Sequence, residues 1–111
     1  MEQSKSEMRP AEVVAIADLV SYQEGSVISR TLVKRATGTI TLFAFDEGEG
    51  LSEHTAAFAA LVQVLEGEAD VTVAGQTMRT RANQSVLLPA NVPHALKAVT
   101  RFKMLLTMIR S

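Results

Sequence analysis

From Gly25 onward, apolar and polar positions alternate with a period close to two. In "SVISRTLVKRATGTITLFAF" two runs rich in Val, Ile, Thr and Phe flank "RATG". That pattern predicts a β-hairpin, with the glycine supplying the permissive backbone of the turn. "FDEGEGLSEH" follows and reads as a loop holding Gly48 and Gly50. "LVQVL" and "ADVTV" then predict two strands joined by "EGE", and "AGQ" around Gly75 turns the chain again. "SVLLPANVPHALKAV" predicts a strand, a loop with two prolines and another strand, and "RFKMLLTMIRS" a last one.

Eight or so short strands, with turns about every ten residues, and no sustained helical period predict an all-β fold, a sandwich or closed barrel. One segment competes. "EHTAAFAALVQVLEGEA" is alanine-rich and favours a helix on intrinsic propensity, but Val62, Val64 and the turn into "DVTV" favour a strand. Residues 1–10 carry several charges, end in Pro10 and predict a flexible tail; residues 11–111 form one domain.

Composition narrows the function. At 111 residues, with 47% apolar and 21% charged side chains, the chain is an ordinary globular domain with a single core. A net charge of -1 offers no basic field to nucleic acid or anionic lipid. With no cysteine there is neither disulfide nor thiolate chemistry. The uncharged run from Val13 to Ala17 is too short for a signal core or a membrane span, so the expected compartment is the cytoplasm. Dinucleotide, P-loop and nucleophile-elbow glycine motifs are all missing.

The candidate chemistry rests on the two histidines of the chain. Each ends a polar or proline-containing loop, residues 48–54 and 83–94, and is expected to begin an apolar strand. Side chains so placed at a barrel mouth can converge on one metal or one substrate.

The residues carry a resemblance. Gly48-x5-His54, with Gly67 thirteen residues on, resembles the first motif of the cupin family, and Asn83-x5-Pro89-x-Asn91-x2-His94 resembles the second. The resemblance implies a small antiparallel jelly-roll β-barrel, commonly homodimeric, with its site inside the barrel. Cupins usually hold a divalent metal through two histidines and a glutamate of the first motif and a histidine of the second. Carried over, His54 and His94 keep two ligand positions, Ala56 stands at the second histidine and Ala60 at the glutamate, and Ala98 replaces the trailing asparagine. Asn83 and Asn91 replace glycines, and Asn91 can adopt the left-handed backbone glycine would supply.

A divalent transition metal wants three or four donors, so His54 and His94 alone make a weak site. Strand parity puts Ala56, Phe58, Ala60, Val62 and Val64 on one face, with Leu96 following His94 and Met104 lining the last strand. Small alanines among larger apolar groups leave room for a small, partly apolar ligand anchored by two imidazoles. Three readings follow in order: a small-molecule-binding barrel, a metal-dependent oxygenase, isomerase or decarboxylase, and a structural dimer with a vestigial pocket. The terminal strand, apolar on both faces, needs a second cover, for which another subunit is the simplest candidate. A homodimer is the expected assembly.

Overall fold

The computed structural model of the protein describes residues 2–4 and 7–110. Its strands are β1 (Glu2–Ser4), β2 (Val27–Arg35), β3 (Gly38–Phe45), β4 (Gly50–His54), β5 (Ala60–Glu66), β6 (Glu68–Val73), β7 (Gln76–Arg81), β8 (Ser85–Leu88), β9 (His94–Ala98) and β10 (Phe102–Ile109). One 3-10 turn, Ile16–Leu19, precedes them in the N-terminal segment. A six-stranded sheet ordered β1-β2-β3-β10-β5-β8 faces a four-stranded sheet ordered β4-β9-β6-β7. Apart from the parallel β1–β2 contact, the pairings are antiparallel. This is the all-β fold expected of the alternating pattern, in the jelly-roll arrangement that the resemblance implies. Of the segment read as a tail, Met1, Lys5 and Ser6 lie outside the described residues, Glu2–Ser4 lie beside β2, and the Met8 amide donates to the Leu32 carbonyl at 2.9 Å.

Alternation sorts the large sheet into two faces. Phe43, Phe45, Val62, Val64, Phe102 and Met104 point inward and meet Ala69, Val71, Leu96 and Ala98 of the small sheet. The Phe45 ring stacks on Phe102 at 4.5 Å and on Phe43 at 5.7 Å between centroids, plugging the end of the barrel beside the β3–β4 turn. Gly67, between β5 and β6, belongs to this end: a Cβ there would run into the Arg101 carbonyl and Phe102, so only glycine lets the two segments approach.

The outer face of the large sheet is also apolar at Leu42, Ala44 and Leu105, which predicts a second cover. Over these residues the cover is the chain's own N-terminal segment: Met8, Ile16, Leu19, Val20 and Tyr22 pack on Leu32, Leu42, Ala44 and Leu105. A bulge between Thr31 and Val33 turns Leu32 outward into this layer. Lys103 is buried beneath it, its ammonium donating to the Ala17 carbonyl at 2.7 Å and lying 3.5 Å from Glu66. Tyr22 donates to the same carboxylate at 2.7 Å and lays its ring under the Arg101 and Lys103 cations. Burial and that carboxylate push the Tyr22 hydroxyl well above its ordinary range. Among the described residues no helix is long and apolar enough to cross a membrane.

Candidate functional site

"GLSEH" carries too few apolar residues to announce a strand, and it becomes β4 by pairing with β9. Gly50 opposes Lys97, Leu51 opposes Leu96 and His54 opposes His94, with a register shift between Leu51 and His54. Leu51 packs against the core between the sheets. Three residues later an unbroken strand would present the opposite face, but the shift restores the inward one, so His54 joins His94. His54 therefore closes a strand, correcting the expectation that it opens one, whereas His94 does begin β9.

The chain leaves the sheet after His54 and rejoins it at Ala60. Strand parity consequently does not extend to Ala56 and Phe58, which are half-buried in the connecting loop and not on the strand face of Ala60. The Ala56 carbonyl accepts the Asn91 amide at 2.7 Å, tying the two motif loops together. Asn91 and Asn83 both adopt left-handed backbone, φ +61° and +70°, the conformation that asparagine tolerates in place of glycine.

The two imidazoles meet at their Nε2 atoms, 3.1 Å apart, with rings edge to face. His54 Nδ1 lies 2.7 Å from the Ser52 carbonyl and His94 Nδ1 lies 3.1 Å from the Val92 carbonyl. A carbonyl only accepts, so each Nδ1 carries a hydrogen, and each Nε2 is left to the contact between the rings. Such a pair needs something electrophilic between or beside its nitrogens, whether a proton, a cation or a ligand donor. Burial, and secondarily the neighbouring His54, holds His94 below the ordinary histidine range, against the Val92 carbonyl, which favours its charged form.

A family model described as "Cupin domain" matches residues 41–109, which include both histidines and both motif loops. The chain belongs to the cupin family. Its fold is similar to that of a conserved protein of unknown function from Streptococcus pyogenes, 34% identical, with a TM-score of 0.90 over 96% of this chain and 93% of that one. A cupin superfamily protein from Desulfitobacterium hafniense is 28% identical, with a TM-score of 0.89 over 96% and 97%. A cupin 2 conserved barrel domain protein from Leptotrichia buccalis is 40% identical, with a TM-score of 0.82 over 85% of this chain and 46% of that one. No curated protein matches the chain.

In this cupin the His pair sits toward the end of the barrel opposite the phenylalanine plug. His54 and His94 each lie four residues along their strands from the β3–β4 and β9–β10 turns, and Thr41 and Leu106 stand four residues from the same turns on β3 and β10. Thr41, Leu106, Val62 and Val86 form one register row on the inner face of the large sheet, and Thr39, Met108, Ala60 and Leu88 form the next row outward. Val62 and Met104 are fully buried, and Leu96 is 5% exposed, so these three form the floor and packed wall. Thr39, Thr41, Leu106 and Met108 are only partly buried, as is Phe58. Of the residues expected to line a pocket, Val62, Leu96 and Met104 thus belong to the core layer, Ala60 stands in the outer row and His54 stands exposed at the rim. Sequence reasoning passed over Thr39 and Thr41, although alternation along "TITLFAF" already puts them on the face of Phe43 and Phe45.

The residues present do not fit a four-ligand cupin metal centre. Ala56 and Ala60 supply no donor, and among the described residues no group of three or more His, Cys, Asp or Glu side chains converges. What remains is a site of two nitrogens.

Proposed function

We propose that this cupin binds a small, partly apolar molecule at the open end of its barrel, with the His54–His94 pair as its polar anchor. The observation that carries this reading is the convergence of two Nε2 lone pairs, fixed from behind by backbone carbonyls, above an apolar floor. The rings are oriented before the ligand arrives, so little ordering of side chains opposes binding. A donor on the ligand hydrogen-bonds to Nε2, and the apolar body rests on Leu106, Val62 and Met108. A divalent transition metal held by the same two nitrogens, completed by water or by the ligand, is the weaker form of the site.

The metal-dependent oxygenase, isomerase or decarboxylase stands as the second reading, favoured by the facing lone pairs and disfavoured by the two alanines. We take the working unit as a cytoplasmic homodimer. What supports the dimer is a row the N-terminal segment leaves partly open on the outer face: Val33, Ile40, Thr107, Leu61 and Leu87, apolar except at Thr107, with Ile109 beside it.

The test is elemental analysis and native mass spectrometry of protein purified without a metal-affinity tag, for wild type and His54→Ala. A bound organic molecule, lost in the variant, is the expected result. One equivalent of tightly bound metal with no organic molecule would promote the enzyme reading instead.

A further inference from the structure

Resting on the dimer reading, we infer how the second copy of this chain docks: a two-fold axis runs along β10 at Thr107, and Leu87 of each chain enters a groove beside Val33 of the other. The outer register row reads Val33, Ile40, Thr107, Leu61 and Leu87 across β2, β3, β10, β5 and β8. Thr107 is its middle residue, so the two ends of the row stand two strands away, roughly 10 Å on either side. The two arms differ in shape. On the β8 arm Leu87 projects, 63% exposed. On the β2 arm lies a shallow groove of about 210 Å³ whose lining includes Val33, Thr37, Ile40, Thr107 and Ile109.

A knob and a groove at equal distances on opposite sides of one strand are complementary to a copy of themselves. Rotation about an axis parallel to β10 lays β8 of one chain over β2 of the other and brings both knobs to both grooves in one step. A rotation that set Leu87 on Leu87 would stack two projecting side chains and leave both grooves unfilled. Thr107 is the one polar side chain of the row, and among the described residues its hydroxyl has no hydrogen-bond partner. A hydroxyl both donates and accepts, so on the axis each copy satisfies the other. Among the described residues, Leu87 and Ile109 are the large apolar strand side chains that stand exposed, and both belong to this contact.

The test is sedimentation equilibrium of Thr107→Lys, Thr107→Asp and their equimolar mixture, with circular dichroism melts showing that each variant folds. Each variant alone sets like charges face to face and should dissociate about tenfold more readily than wild type, and the mixture should associate about tenfold more tightly than either. Leu87→Lys mixed with Leu87→Asp should gain nothing, because position 87 meets Val33 and not its own copy. Wild type mixed from labelled and unlabelled chains gives a check free of substitutions: nuclear Overhauser contacts between chains should join Leu87 methyls to Val33 methyls. A wild-type monomer overturns the dimer reading and this inference together. In a wild-type dimer the axis is overturned, and the dimer stands, if the Thr107 mixture is no tighter than its components, if the Leu87 mixture is, or if Leu87 contacts Leu87 between chains.

Discussion

His54 and His94 face each other through their Nε2 atoms at 3.1 Å, paired in register across β4 and β9, and each has its Nδ1 committed to a carbonyl two residues earlier in its own strand approach. The pair is a built feature of the fold, since bulge, register and backbone acceptors all act to bring two lone pairs to one point.

That geometry makes the lost metal ligands testable by restoring them. Ala56→His together with Ala60→Glu should raise zinc affinity by more than about tenfold over wild type, because each substitution adds a donor to a two-donor site. Ala60 is 4% exposed between Met108 and Leu88, so the apo variant should also melt lower than wild type and recover on adding zinc. Equal zinc affinity in the two proteins would show that the loop of Ala56 does not approach the pair.

The phenylalanine plug should dominate stability. Phe102 is fully buried and stacked on Phe45, and Phe102→Ala should destabilise by about 3–5 kcal/mol in denaturant titration. A loss below about 1 kcal/mol would mean that the end of the barrel collapses around the missing ring.

Asp46 gives the stability a defined acid limb. Its carboxylate accepts the Gly25 amide and the Arg101 guanidinium, both at 2.7 Å, and these contacts lower its pKa to about 2. A carboxyl lowered in the folded state binds fewer protons there than in the unfolded chain, so its stabilisation is complete above the unfolded value near 4 and fades as pH falls toward 2. The stability difference between wild type and Asp46→Asn should therefore be flat from neutral pH down to about 5, then shrink with further acidification. A difference that grows on acidification would contradict the assignment.

The assembly is checked by sedimentation. Wild type should sediment with the mass of two chains, and Leu87→Lys, which places a charge in the exposed outer row, should shift it toward one. A wild-type protein with the mass of one chain would remove the dimer.

Period-two alternation revealed most of the sheet, because the inner faces of β5, β6 and β10 carry runs of apolar residues and those of β2 and β3 alternate with the outer face even where they hold Ser29, Thr31, Thr39 and Thr41. β4 escaped it. Only Leu51 of "GLSEH" packs inward as an apolar residue, and the strand exists through its pairing with β9, a contact invisible in local pattern. The same blind spot extended parity from Ala60 back to Ala56 and Phe58, across a loop where parity has no meaning. The motif spacing located both histidines, whereas their mutual orientation depends on a bulge that spacing does not encode. The second apolar face of β10 was legible, but its cover was not, since residues 8–22 reach it through tertiary packing rather than regular structure.

The central claim is that a ligand is held by the two Nε2 atoms, and the ring nitrogen spectrum of selectively labelled histidine tests it most directly. Titrated with phenol, a neutral O–H donor on an apolar ring, both Nε2 signals should move together along one saturation curve while both Nδ1 signals keep the character of a protonated nitrogen. Nε2 signals that stay fixed while phenol is shown to bind, or phenol that does not bind at all, would contradict it.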